Sequence, residues 1–239
     1  MLNTSKVIVL SKIKYRDNDL IVKCFTLHRG VVSYLLKGVL KRQKGSSKVA
    51  YYQLLSQLQV EENYRQTQSL QYIKDVRLDY NYTTLHTNLF KSSIVMFLSE
   101  VLSSVLREEE ENQPLYHYLE TTFRWLDTTD NFSNFHLLFL LNLTKHLGFY
   151  PDISDTNQLY FNLNNGLFES KKEDVYSVSG ENLIILKQLL GTNFDALDDM
   201  KLSSRQRQSF LTMLLLYFEL HLGSFRQPKS LKIFNQIFN

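Results

Sequence analysis

The chain has 239 residues, a length that allows one large domain or two small ones. With 44% hydrophobic and 21% charged residues, its composition excludes an extensively disordered chain. The single cysteine, Cys24, excludes an intramolecular disulfide framework and a cysteine-based zinc finger. The sequence contains no apolar run of about 18 residues, and its N-terminus lacks the features of a signal peptide. We therefore expect a cytoplasmic protein without a membrane-spanning segment.

Charge is distributed unevenly along the chain, although the overall net charge is only +3. Residues 1–80 hold 14 basic and 6 acidic residues, whereas residues 81–239 hold 13 basic and 18 acidic ones. Between Leu20 and Val60, seven basic residues occur without a single Asp or Glu. Such an asymmetry suggests that the N-terminal part contacts a polyanion.

The first 80 residues read as short β-strands separated by turn signals. The predicted strands cover residues 6–14, 20–27, 31–37, 53–61 and 70–78. Gly30 ends a tight turn between the second and third strands. Five strands with one longer loop at 38–50 predict an OB-type barrel, and a small β-sandwich or an SH3-like barrel is the alternative.

After residue 80 the spacing of apolar residues becomes helical. The predicted helices cover residues 83–107, 114–127, 134–147, 180–190, 204–222 and 231–238. Gly148 is expected to end the third helix, and Ser203 with Gln206 to form a capping box. Residues 158–170 resemble a hairpin around Asn164-Asn165-Gly166.

The sequence therefore predicts an α+β protein with two domains. Residues 1–80 form an N-terminal five-stranded OB-fold β-barrel that binds nucleic acid. Residues 81–239 form an all-helical C-terminal domain with a small β-hairpin insertion, a subdomain at about 153–178.

A basic loop between strands is the main candidate for a binding site. The segment KGVLKRQKGSSK (residues 37–48) carries five cations among glycine and serine residues, a composition suited to contacting successive phosphates. Nearby tyrosines offer stacking faces for unpaired bases. The predicted DNA-binding residues are Arg29, Lys37, Lys41, Arg42, Lys44, Lys48, Tyr34 and Tyr51. The alternative is a solubilising loop, with Tyr51 or Tyr52 facing the barrel core.

Residue patterns for catalysis or metal binding are not found in the sequence. The six histidines are scattered, and no nucleophile or nucleotide-binding motif occurs. We therefore expect neither an enzyme nor a cofactor or metal site.

The helical half contains basic residues next to strongly apolar helix faces. A hydrophobic groove with a basic rim would suit a short peptide with acidic and aromatic residues and a free carboxylate. The candidate peptide-binding residues are Arg124, Lys145, His146, Arg205 and Arg207. The alternative is a helical core with ordinary cations at its edge.

Several segments of the chain share their pattern with one family. The second strand ends in FTLHRG (residues 25–30), and a Lys-Gly pair with a basic loop follows the third. The helical half contains FLLNLTKHLGFYPD (residues 139–152), NGLF (165–168) and KSLK (229–232). These segments resemble the patterns of the bacterial recombination mediator RecO, over nearly the whole chain.

The resemblance implies an OB fold, a helical C-terminal domain and a non-enzymatic role in DNA repair. Members bind single- and double-stranded DNA, anneal complementary strands and act at the nucleoid. They engage the C-terminal tail of single-stranded-DNA-binding protein and work with RecR to load RecA. Many relatives carry two CxxC pairs for zinc, but residues 153–169 contain no cysteine here.

Two other functions remain open at this point. One is a protein-interaction adaptor whose helical domain recruits a partner. The other is an RNA-binding barrel protein of the translation or RNA-decay machinery.

Overall fold

The computed structural model describes residues 3–41, 48–106 and 111–238. The chain forms two compact units: residues 1–128 together with 228–230, and residues 129–227 together with 231–239. Strands give way to helices near residue 80, whereas the units divide after Thr128 because two helices pack on the barrel. A domain boundary at residue 80 stays a prediction.

The first unit is built on a curled six-stranded sheet. Its strands are β1 (Asn3–Tyr15), β2 (Asp19–Thr26), β3 (Gly30–Leu36), β4 (Gln57–Glu62), β5 (Leu70–Gln71) and β6 (Ile73–Leu78). Their order is β5-β3-β2-β1-β4-β6, and only the β3–β5 pair is parallel. The prediction of five strands was wrong by one, because residues 70–78 are divided at Tyr72. Since this one residue separates the two edge strands, the sheet curls back on itself.

Alternate residues of these strands fill the barrel, as the two-residue period of a β-strand requires. In β2, for example, Leu20, Val22 and Cys24 belong to the buried core, whereas Lys23 is exposed. The other core residues include Val7, Val9, Val32, Tyr34, Leu36, Tyr52, Leu58, Val60 and Val76.

Two helices cover part of the outer surface of the barrel: α1 (Leu89–Val105) and α2 (Gln113–Thr128). The outward-facing Phe25 of β2 is buried and packs on Tyr116 of α2, with ring centroids 6.0 Å apart. Helix α1 begins later than the predicted residue 83 because the Asn88 side chain caps it, accepting from the backbone N–H groups of Phe90 and Lys91.

The segment before α1 is held by one buried carboxylate. Asp127 of α2 accepts hydrogen bonds from the backbone N–H groups of Thr83, Thr84 and Leu85 at 2.7–3.1 Å. Burial alone would raise the pKa of Asp127, but these hydrogen bonds outweigh it and lower the pKa below its usual value. The carboxylate thereby fastens the chain leaving the barrel to the end of α2.

The second unit contains four helices and a small sheet. The helices are α3 (Phe135–Leu147), α4 (Glu181–Leu189), α5 (Ser204–His221) and α6 (Leu231–Ile237). The strands β7 (Tyr160–Asn162), β8 (Leu167–Glu169) and β9 (Ser177–Val178) lie in the order β8-β7-β9. The predicted hairpin is therefore present as β7–β8, and β9 adds a third strand. Among the described residues, no helix is long and apolar enough to cross a membrane.

Helices α3 and α5 run in parallel through this unit. Near their starts, the Asn134 amide donates to the Met200 carbonyl at 2.7 Å. Near their ends, the Tyr217 hydroxyl donates to the Phe149 carbonyl at 2.8 Å. The predicted helix ends are also confirmed, since Gly148 takes a left-handed conformation with φ of 84°, and the capping box of Ser203 and Gln206 is present.

Because three backbone donors depend on it, Asp127→Ala should lower the free energy of unfolding by about 3 kcal/mol. Since the folded state lowers the pKa of Asp127, this contribution is present above the unfolded-state pKa of about 3.9 and is lost as the pH falls below it. Urea unfolding at pH 7 and at pH 3 measures both effects, and the difference between wild type and variant should shrink at pH 3. The exposed Asp130→Ala is the control, and an equal loss there would contradict the role of Asp127.

Candidate nucleic-acid interface

Helix α2 covers the outer surface of the barrel at Phe25, whereas other outward-facing residues of the sheet are exposed. Away from Phe25, strand pairing places Ile13 of β1 beside Ile21 of β2, and Ile21 beside Leu35 of β3. Directly paired residues point to the same side of a sheet, so these side chains form one row. Tyr72 continues the row. Tyr34 pairs with Gln71, and the residues that follow each of them, Leu35 and Tyr72, line the same groove.

We call this surface the exposed barrel face and define it by Ile13, Ile21, Lys23, Lys37, Tyr72 and Lys74. Its apolar row ends in two large exposed side chains, Ile13 at 60% and Tyr72 at 45%. An outward-facing row of a half-covered sheet is normally polar. The row therefore resembles a binding surface rather than an ordinary solvated face.

Lysines flank the apolar row on both sides. Lys23 lies two residues after Ile21 on β2 and is exposed. It pairs with Ser33 of β3. On the other side, Lys37 Nζ lies 4.9 Å from the centre of the Tyr72 ring. Lys74, the extra residue of a β-bulge in β6, lines the same groove, whose volume is about 230 Å³. An aromatic ring in a groove lined by two lysines suits a ligand with flat apolar groups and negative charge.

The start of the basic loop is fastened beside this face. The backbone N–H of Gly38 donates to Asp19 Oδ1 at 2.7 Å, and that of Leu40 donates to the Asn18 carbonyl at 3.0 Å. Gly38 has a φ of 65°, which favours glycine at this turn. The loop therefore leaves the barrel next to the β1–β2 turn, and Lys41 is exposed there.

Only some of the predicted loop residues lie in the part of the chain that the structure describes. Lys37 and Lys41 are exposed. Arg42 and Lys44 lie outside the described residues, and Lys48 begins the short 3-10 turn Lys48–Tyr51. As binding residues of this loop, all five stay predictions.

The two predicted stacking residues, Tyr34 and Tyr51, differ in their burial. Tyr34 is completely buried in the barrel core, so it has no ring face for a base and is corrected from a stacking residue to a core residue. Burial also raises the pKa of its hydroxyl far above the usual value. Tyr51 is partly buried and packs against the same core.

Arg29 is engaged inside the protein. Its Nη1 donates to the fully buried Glu62 Oε1 at 2.6 Å, and Tyr64 covers its guanidinium with the ring centre 4.3 Å away. The Ser5 hydroxyl donates to the same Glu62 oxygen at 2.7 Å. Arg29 therefore neutralises a buried carboxylate, and its role as a phosphate contact stays a prediction.

Arg124 is engaged in a similar way. Its Nη2 lies 3.0 Å from Asp79 Oδ2 and 2.9 Å from Glu120 Oε1, and Lys6 Nζ lies 3.3 Å and 3.1 Å from the same atoms. Two acids and two bases thus join β1 and the end of β6 to α2. Burial alone would raise the pKa of Asp79, but the hydrogen bonds and cations lower it. Arg124 is therefore part of a structural cluster of ion pairs, and its role in peptide binding stays a prediction.

The other four predicted peptide-binding residues lie in the second unit at two places. Lys145 and His146 are in the last turn of α3, where Lys145 Nζ lies 4.4 Å from the centre of the Tyr150 ring. Arg205 and Arg207 are in the first turn of α5, and Arg207 donates to the Leu202 carbonyl at 2.6 Å. Since α3 and α5 run in parallel, these pairs are separated by roughly 13 Å or more. The structure does not bring the four into one cluster.

In the part of the chain that the structure describes, the side chains do not fit a zinc site. Among residues 3–41, 48–106 and 111–238, no group of three His, Cys, Asp or Glu side chains could hold a metal ion. The only cysteine, Cys24, is buried in β2. In the small sheet, Phe161 instead packs on Phe168, with ring centroids 4.9 Å apart.

Comparison with known proteins identifies the family of the chain. The family model "Recombination protein O N terminal" matches residues 1–82, and "Recombination protein O C terminal" matches residues 86–232. The chain belongs to the RecO family. A DNA repair protein RecO from Christiangramia forsetii is 48% identical over 238 residues, 100% of both chains. Those from Flavobacterium johnsoniae and Bacteroides fragilis (strain YCH46) are 41% and 34% identical, over 98% and 100% of both chains.

Membership in the RecO family makes this a DNA repair and recombination protein with an α+β fold, as the sequence predicted. Sequence reasoning missed Ile13, Tyr72 and Lys74 as surface residues. Strict alternation along β1 would place Ile13 on the same side as the core residues Val7 and Val9, unless a bulge intervenes. That bulge, between Val9 and Ser11, is visible only in the structure.

Removing the Arg29 side chain should destabilise the barrel. Arg29→Ala leaves the buried Glu62 carboxylate without its cation, and we expect the free energy of unfolding to fall by about 3 kcal/mol. Adding Glu62→Gln should restore part of the loss, because a neutral amide costs less to bury. Denaturant unfolding measures both, with the exposed Arg65→Ala as the control. Unchanged stability of Arg29→Ala would contradict the structural role.

Proposed function

We propose that this RecO-family protein binds single- and double-stranded DNA through the exposed barrel face and the basic loop beside it. The proposal is supported by Lys37, Tyr72 and Lys74, which line one groove of the exposed barrel face. Barrels of this type bind oligonucleotides on the same side of the sheet. The family's role in DNA repair supports a nucleic-acid ligand over other polyanions.

Neutralisation of phosphates would be the main source of affinity. Each lysine or arginine that contacts a phosphate releases a counterion, and this contribution does not depend on sequence. The cations next to Tyr72 are continuous with the loop that carries Lys41, Arg42, Lys44 and Lys48. A protein that neutralises two strands at once lowers the repulsion between them, so we propose that it anneals complementary strands without catalysing a reaction.

We further propose that the protein helps to load RecA onto DNA coated with single-stranded-DNA-binding protein, working with RecR at the nucleoid. The second unit supplies two separate basic places for an acidic tail peptide, one at Lys145 and one at Arg205. Lys145 is the better candidate, because the Tyr150 ring beside it could pack on an aromatic residue of the peptide.

If phosphates are neutralised, binding of single-stranded DNA must weaken steeply with salt. Five to seven contacts predict a slope of log K against log[salt] of about −3.5 to −5, at about −0.7 for each contact. Lys37→Ala/Lys74→Ala should reduce its magnitude by about 1.4. Fluorescence anisotropy with a labelled oligonucleotide measures the slope. The control replaces two exposed lysines of the second unit, Lys171→Ala/Lys172→Ala.

Annealing provides the functional readout of the same cations. Complementary oligonucleotides coated with the cognate single-stranded-DNA-binding protein should anneal more slowly with Lys41→Glu/Arg42→Glu/Lys44→Glu than with wild type. A wild-type salt slope near zero would overturn the proposal. A strong preference for RNA over DNA of the same sequence would instead favour an RNA-binding protein.

For the helical unit, we expect a labelled acidic peptide that ends in Phe to bind in the micromolar range. Lys145→Glu should weaken this binding more than Arg205→Glu, since a glutamate beside Tyr150 repels the peptide's acids. Titration followed by anisotropy measures both. Absence of wild-type binding would remove the tail contact from the proposal, and equal effects would remove the preference for Lys145.

A further inference from the structure

We propose that the apolar row Ile13–Ile21–Tyr72 makes the exposed barrel face selective for unpaired bases, while its lysines bind paired and unpaired strands alike. This inference rests on the proposed function and adds a specificity determinant to the same surface. It assigns separate tasks to the two kinds of side chain found there.

The row has the dimensions of a short single strand laid across the sheet. Neighbouring strands lie about 4.8 Å apart, so the distance from Ile13 to Tyr72 spans three strand spacings, or about 14 Å. Both end residues are large and exposed. Between them, Ile21 is half-buried and Leu35 is buried, so Ile13 and Tyr72 protrude at the two ends of a shallow surface.

The charged residues beside the apolar row determine which kind of ligand the exposed barrel face can bind. Lys37 lies over the Tyr72 ring, and Lys74 lines the same groove. Asp75 lines the same groove, and Asp19 accepts the hydrogen bond from the Gly38 backbone. A ligand held here must bring flat apolar faces to Tyr72 and negative charge to the lysines. A single-stranded polynucleotide has both within each nucleotide.

Duplex formation removes only one of these features. In a duplex the faces of the bases are stacked on each other, so neither Tyr72 nor Ile13 can reach them, whereas the phosphates remain accessible. Two strands that pair on this surface therefore lose their contacts with the apolar row but keep those with the lysines. The row would favour release of the annealed product.

The test compares Tyr72→Ala/Ile13→Ser with wild type on three probes of equal length: a single strand, a duplex and a single strand of abasic sugar-phosphate. The variant should bind the single strand about tenfold more weakly, as expected from the loss of stacking with about one base. Its affinity for the duplex and the abasic strand should be unchanged. Tyr72→Phe, which keeps the ring, should behave like wild type.

Leu89→Ser serves as the matched control, because Leu89 is 66% exposed at the start of α1 and lies outside the exposed barrel face. Thermal unfolding followed by circular dichroism verifies that each variant folds. Equal losses on all three probes, or no loss on the single strand, would overturn the inference. So would weaker binding of an acidic aromatic peptide with unchanged binding of DNA.

The outcome also separates this inference from the proposed function. If Lys37→Ala/Lys74→Ala weakens binding of every probe while Tyr72→Ala/Ile13→Ser changes none, the protein binds DNA through charge alone and the inference fails. If wild type binds none of the probes, the proposed function itself fails.

Discussion

The alternation of side chains along the strands governs most of this structure. A barrel that fills its interior with every second residue must also present the remaining residues on its outside, where they need either a cover or water. In the first unit, α1 and α2 cover part of the outside, and Phe25 is buried against α2. The ion pairs of Arg124 and Lys6 with Asp79 and Glu120 fasten that cover.

Away from this cover, Ile13 and Tyr72 stay exposed, and this is why we propose the ligand surface there. The position of the cover and the position of the candidate interface are thus two results of one packing arrangement. Packing also sets the role of Arg29, because the buried carboxylate of Glu62 requires a cation beside it.

Local features of the fold could be predicted from the sequence, because they depend on neighbouring residues. Gly148 ends α3, and Ser203 with Gln206 begins α5, through interactions within four positions along the chain. The roles of Arg29 and Arg124 could not be predicted in this way. Their partners Glu62 and Asp79 lie 33 and 45 positions away, and only strand register and helix packing bring them together. For the same reason Tyr34 looked like a surface aromatic, although its strand turns it inward.

The one-residue link between β5 and β6 fixes which residues of these strands face the core and which face outward. Tyr72 is the only residue between the edge strands β5 and β6, so the connection has no spare length. One additional residue would exchange the inner and outer positions of whichever strand received it, turning Val76 toward solvent or Gln71 outward. The length of this connection is therefore a constraint on the surface as much as on the sheet, since any change in chain length here would move the aromatic ring away from its lysines.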